Sequence, residues 1–159
     1  MGTIEQKDLD WIERAPISFS GSATTTASPE AVFAILADHE RWPEWFPVIK
    51  KTEVLGPARE GVGMRRLTTI PGGKVEELII AWDPGQRWAF TVTAVSPGIV
   101  HALVEDCRIE PARSGTRVTY TMYLDPVAPL RPIMKLMKGL MGKQLDKGMR
   151  ALAARAEGR

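Results

Sequence analysis

Apolar residues alternate with polar ones through the first four-fifths of the chain, then switch to recurring every three or four positions. Ile17, Phe19, Gly21 and Ala23, set against Ser18, Ser20, Ser22 and Thr24, predict a half-buried strand over Ile17 to Thr26. Ser28-Pro29-Glu30 then predicts a helix start, with Ser as N-cap, Pro at the first helical position and an acid in the first turn. Val32, Phe33, Ile35 and Leu36 give this helix its buried side. Asp38 opens a second short element that carries Trp42, Trp45 and Phe46 and is interrupted by Pro43 and Pro47. From Ile49 a meander of strands follows. It is punctuated at Pro71-Gly72-Gly73-Lys74, Asp83-Pro84-Gly85-Gln86, Ser96-Pro97-Gly98-Ile99 and Ala112-Arg113-Ser114-Gly115. From about Pro129 to Glu157 the spacing of Ile133, Met134, Leu136, Met137, Leu140, Met141, Leu145, Met149 and Leu152 predicts one long helix with a single apolar face. The order is strand, two short helices, six strands and a long helix. It defines an α+β class with an antiparallel sheet.

The turns also fix a register. With Gly72-Gly73, Pro84-Gly85 and Pro97-Gly98 as central turn residues and 112–115 as a loop, Thr68, Glu77, Val92, Leu103 and Leu124 form one cross-strand row. Arg66, Ile79, Phe90, Glu105 and Met122 form the next, and Met64, Ala81, Trp88, Cys107 and Tyr120 a third. Side chains alternate strictly between faces, so every row shares a face. That face is mostly apolar, and Ile109 and Val118 also lie on it. Lys74, Arg87, Thr91, Thr93, Arg108, Arg117 and Thr119 fall on the other. Leu78, Ile80 and Trp82 are assigned outward as well, which makes the strand after the first hairpin the poorest fit.

The inner face then carries Arg66, Glu77, His101 and Glu105. Burying an unpaired charge is costly, so these groups must be paired or wet. Arg66 is placed diagonal to Glu77, within reach of a long side chain. Glu105 is placed two strands from Glu77, roughly 10 Å across. Two readings stay open: a structural ion pair with solvated rim residues, or polar anchors in an apolar, partly wet cavity. The methionines of the last helix suit the second, because Met lines surfaces that accept variable shapes.

Bulk properties narrow the classes. At 159 residues, 44% hydrophobic and 25% charged, the chain suits one ordinary domain (16–157) preceded by a polar leader (1–15) with a local cluster of Leu9, Trp11 and Ile12. A formal net charge of +2 gives no case for nucleic acid. Cys107 alone permits no internal disulfide and reads as a buried small hydrophobe. The chain has neither the apolar core of a signal peptide at its start nor an apolar run long enough to span a bilayer. The default expectation is cytoplasmic. His101 lacks companions at ligand spacing, so no metal or other cofactor is expected, and His39 reads as exposed. Gly139 to Gln144 imitates half of a phosphate loop without its spacing or preceding strand. Lys135, Lys138, Lys143, Lys147, Arg150 and Arg155 read as a solvated face of the last helix, with weak anionic-membrane contact as the alternative.

Several segments resemble the START-like, Bet v 1-like superfamily, in its polyketide cyclase/dehydrase and lipid-transport branch. They are Thr25-Thr26-Ala27-Ser28-Pro29-Glu30-Ala31-Val32-Phe33, Asp38-His39-Glu40-Arg41-Trp42-Pro43-Glu44-Trp45, Gly61-Val62-Gly63, Glu77-Leu78-Ile79, Asp83-Pro84, Arg87 and Gly115-Thr116-Arg117-Val118-Thr119, spread across residues 16–157. The resemblance implies a helix-grip fold: a curved seven-stranded antiparallel sheet around a long C-terminal helix, with two short helices between strands 1 and 2. It implies a cavity for a lipid, polyketide or isoprenoid. The expected ligand contacts are Arg66, Glu77, Trp88, Phe90, Val92, His101, Leu103, Glu105, Tyr120, Met122, Met137 and Met141. One alternative is a cyclase or dehydratase with Arg66, Glu77 and Tyr120 as catalytic candidates, and another is a membrane-surface or protein interaction module working through the basic terminal helix; a monomer or homodimer is expected.

Overall fold

The computed structural model describes residues 1–159. Its strands are β1 (Gly2–Thr3), β2 (Ile17–Thr25), β3 (Lys51–Leu55), β4 (Arg65–Ile70), β5 (Gly73–Asp83), β6 (Arg87–Ser96), β7 (Val100–Ala112) and β8 (Gly115–Pro126). The helices are α1 (Pro29–Ala37), α2 (Arg131–Leu136) and α3 (Lys138–Ala156), with 3₁₀ turns at Leu9–Arg14, His39–Glu44 and Ala128–Leu130. Seven strands form an open antiparallel sheet in the order β2-β8-β7-β6-β5-β4-β3, and α3 packs along β2 in the helix-grip arrangement.

Local chemistry accounts for the elements around the grip. Ser28 Oγ accepts from Ala31 N at 3.1 Å and starts α1. Gly21 permits the close approach of α3 to β2: a Cβ there would stand 2.2 Å from Asp146 N and 2.3 Å from Leu145 C. Beside it, Ser22 N donates to the Asp146 carboxylate at 2.9 Å, so the helix satisfies part of the edge strand's backbone.

The register between β6 and β8 agrees with the turns: Trp88 faces Cys107, Phe90 faces Glu105, Cys107 faces Tyr120 and Leu103 faces Leu124. Four places depart from expectation, one of them a shift between Glu76 and Glu77 that sets Glu76 opposite Ala94 and Val75 opposite Val95. In the first hairpin Ile70 pairs with Gly73, which slides β4 by two residues; the faces are preserved, but Arg66 stands directly opposite Glu77 rather than diagonal to it. Around β5, the turn is a three-residue loop, and a bulge at Ile80 takes up the extra residue. Trp82 therefore faces Trp88 and turns inward, while Ala81 pairs with Ala89 on the outer face. In β7 a bulge between Val100 and Ala102 leaves His101 exposed, off the inner face.

The N-terminal segment does more than pack locally. β1 pairs with β6, and Glu5 N donates to His101 O at 3.0 Å, so the segment fits where β6 and β7 diverge. Trp11 then covers Ala102 and Val104 on the outer face, in a small second core. Below it Asp106 is buried and accepts two hydrogen bonds from Arg87, at 2.8 and 3.0 Å, and one from Arg108 at 3.1 Å.

The terminal helix is interrupted at Met137, although Met137 N still donates to Ile133 O and Met141 N to Met137 O, both at 3.0 Å. Only its later part closes the core, through Leu145, Met149 and Leu152. Met134 and Met141 pack partly against that core. Ile133, Leu136, Met137 and Leu140 face out, contrary to the single inward stripe expected.

Candidate functional site

The inner face has a closed end and a more open one. At the closed end Arg66 and Glu77 are 1% and 3% exposed and form a salt bridge across β4 and β5. The guanidinium carbon lies 4.0 Å from the Trp42 ring centroid, 4.8 Å from that of Trp88 and 5.3 Å from that of Phe90. These aromatic faces suit a weakly hydrated guanidinium. Its remaining reach is to His39, whose Nδ1 is 3.2 Å from Arg66 Nη1.

His39 was not legible as an inner residue, and it is buried here. Its signal lay in the geometry of the 3₁₀ turn, where residues i and i+3 eclipse, so His39 shares the inward side with Trp42. Arg66 can only donate, so Nδ1 accepts and the ring hydrogen sits on Nε2, which has no hydrogen-bond partner. Burial, reinforced by the neighbouring Arg66 charge, lowers the His39 pKa to about 3, so the ring is neutral. Burial pushes the Glu77 carboxyl up, and Arg66 opposes the shift. Because a guanidinium does not give up its proton, the ionised carboxylate is the form that leaves no lone buried charge.

The more open end is built by β7, β8 and the first half of the terminal helix. Leu103, Glu105, Met122, Met134 and Met141 are each only partly buried. Tyr120 is closed in and donates its phenolic hydrogen to Glu105 Oε2. Glu105 keeps some exposure as a residue, yet burial dominates its carboxyl and, with the Glu77 charge adding, lifts its pKa to about 8; the Tyr120 hydrogen bond and Arg66 pull the other way. The group is therefore mostly a neutral acid at pH 7. Burial, with Glu105 beside it, raises Tyr120 well above the ordinary phenol value.

The structure thus brings together Arg66, Glu77, Trp88, Phe90 and Val92 in the closed core, and Leu103, Glu105, Tyr120, Met122 and Met141 around the open end. His101 and Met137 fall outside: the β7 bulge exposes the first, and the second lies on the outward stripe. Two surface hollows, of ≈ 430 and ≈ 260 Å³, lie elsewhere. The first runs between the Leu9–Arg14 turn and Arg87, the second between α1 and Arg155. Nowhere do three His, Cys, Asp or Glu side chains converge to hold a metal ion, and no helix is long and apolar enough to cross a membrane.

Residues 16–157 match the family described as polyketide cyclase / dehydrase and lipid transport, and the chain belongs to that family. Uncharacterized proteins of Mycobacterium tuberculosis and Mycobacterium bovis are 34% identical to it over 149 residues, covering 93% of this chain and 89% of theirs. In structure the chain is similar to a START superfamily protein from Mycobacterium smegmatis (TM-score 0.73, 18% identity, 89% of this chain and 97% of that one). It is equally similar to an aromatase/cyclase from Streptomyces sp. R1128 (TM-score 0.73, 17% identity, 90% and 94%). At such identities the likeness carries the START-like fold and leaves the chemistry to the residues themselves.

Proposed function

We propose that the protein binds a small, largely apolar molecule with one polar end, held between the inner sheet face and the first half of the terminal helix. The observation that carries this reading is the contrast in closure along one face. Arg66 and Glu77 are sealed by aromatic rings, whereas Leu103, Glu105 and the Met122 opposite it stay partly accessible, as do Met134 and Met141 of the terminal helix where they pack against the core. Flexible methionines and a leucine offer an adaptable apolar lining. Neutral Glu105, next to the Tyr120 phenol, offers hydrogen-bond donors and acceptors to a hydroxyl or carbonyl. Arg66 then fixes the architecture behind the site instead of touching the ligand. Native mass spectrometry with a panel of fatty acids, isoprenoids and polyketides tests this. Retention by the wild type and its loss in Leu103→Trp/Met122→Trp are expected; a wild type that retains nothing ends the reading.

A second reading, cyclisation or dehydration of a polyketide, is favoured by one observation: Glu105 holds an acidic proton near neutral pH beside a phenol. Such a pair suits protonation of a ketone or of a leaving hydroxyl. Turnover of a poly-β-ketone that is unchanged in both Glu105→Gln and Tyr120→Phe would exclude it.

A further inference from the structure

The outward side of the segment that opens the terminal helix has no partner in the fold. Ile133, Leu136, Met137 and Leu140 are 53%, 87%, 40% and 55% exposed. Their spacing of i, i+3, i+4 and i+7 makes them one stripe, and the hydrogen bonds through Met137 keep it continuous across the interruption. Elsewhere exposed large apolar side chains are scattered singly, which is ordinary for a surface; here they are contiguous. Ile99, also exposed, belongs to the same end of the molecule, since its carbonyl accepts from Val127 N at 3.1 Å.

Charge gives the stripe its partner. From Val127 through Leu145 the chain contains Arg131, Lys135, Lys138 and Lys143 and no Asp or Glu. All four cations are exposed. Arg131 is partly answered by Asp125, at 2.8 Å on the neighbouring strand. A helix about 10 Å across keeps such side chains within roughly a Debye length of a surface on which it lies. An apolar stripe with cations and no anions is the composition of a helix that rests in a lipid–water interface.

We propose that residues 131–143 dock on an anionic lipid bilayer, with Ile133, Leu136, Met137 and Leu140 entering the headgroup boundary and the lysines meeting the lipid phosphates. Met134 and Met141, on the inward side of the same segment, border the open end of the inner face. Docking therefore places that end beside the bilayer surface. The inference goes beyond ligand binding and is tested without any ligand.

The test is co-sedimentation of full-length, unloaded protein with vesicles of phosphatidylcholine alone and of phosphatidylcholine mixed with phosphatidylglycerol. Binding is expected only to the anionic vesicles and falls as salt is raised. Each of Lys135→Gln and Lys138→Gln is expected to weaken it about fivefold. Leu136→Asp/Leu140→Asp abolishes it while circular dichroism and the unfolding midpoint stay those of the wild type, because both side chains are exposed. Absence of binding, or binding indifferent to lipid charge or to these substitutions, overturns the proposal. So does a dimer that Leu136→Asp/Leu140→Asp splits in protein that binds no vesicles, which would make the stripe a self-association surface.

Discussion

Arg66 stands directly opposite Glu77 on adjacent strands, with its guanidinium under the ring of Trp42. The pair is buried but unequal: the carboxylate can take up a proton when deserted, whereas the guanidinium cannot lose one. Glu77→Leu is therefore expected to cost about 3–5 kcal/mol. Arg66→Met is expected to cost less, and the double substitution to be milder than the sum of the two. Urea unfolding of the three variants checks the ordering. Equal losses from the two single changes would refute it.

Two other buried groups tie stability to pH in opposite directions. Glu105 has a folded pKa near 8 against an ordinary 4.5, so the folded state holds its proton more tightly; stability from this group is full below about 4.5 and is lost as pH rises through 8. His39 has a folded pKa near 3 against 6.5, so its contribution is full above 6.5 and is lost as pH falls toward 3. The two slopes oppose each other between 4.5 and 6.5. Of these two groups, only Glu105 still slopes above 6.5. Glu105→Gln should flatten the decline in unfolding free energy between pH 6.5 and 8, as followed by denaturant titration across that range.

Two glycines should respond oppositely to alanine. Gly21→Ala drives a methyl into the α3 backbone at Asp146 and is expected to destabilise by about 1–3 kcal/mol or more. Gly139 lies near the start of α3 with nothing near its absent Cβ, so Gly139→Ala should stabilise by up to about 1 kcal/mol. Thermal unfolding of both variants compares them, and a neutral Gly21→Ala would contradict the close approach described.

Cys107 is fully buried, and burial raises its thiol pKa well above the ordinary value, with the Asp106 charge adding. A thiol-specific reagent should leave it unmodified in the native protein and react promptly in denaturant. Rapid native labelling would point to opening of the sheet around Trp88.

Strand pairing was legible wherever the turn residues left one solution. The hairpin at Ala112–Gly115 set Cys107 against Tyr120 and Glu105 against Met122, and the inward assignment of Glu77 and Glu105 followed from period-two alternation. Bulges broke that logic, because an added residue reverses the faces beyond it; Trp82 and His101 were misplaced for this reason. The terminal stripe failed for a different cause. Helical spacing shows that Ile133 and Leu136 share a side with other apolar residues, but not whether that side meets the sheet, and the interruption at Met137 separates a covered length from an uncovered one. His39 was lost because polarity argued for solvent, while the 3₁₀ period placed it beside Trp42.

The bulge at Ile80 and the three-residue loop after Asp83 form a compensated pair, since each adds one residue and together they leave Glu77 opposite Val92. Removing a residue from that loop alone would slide Trp82 past Trp88 and turn it away from His39. Removing one from each should leave the lower strands untouched. Loop length and bulge therefore act as a single unit: a change in one keeps Glu77 opposite Val92 only when the other changes with it.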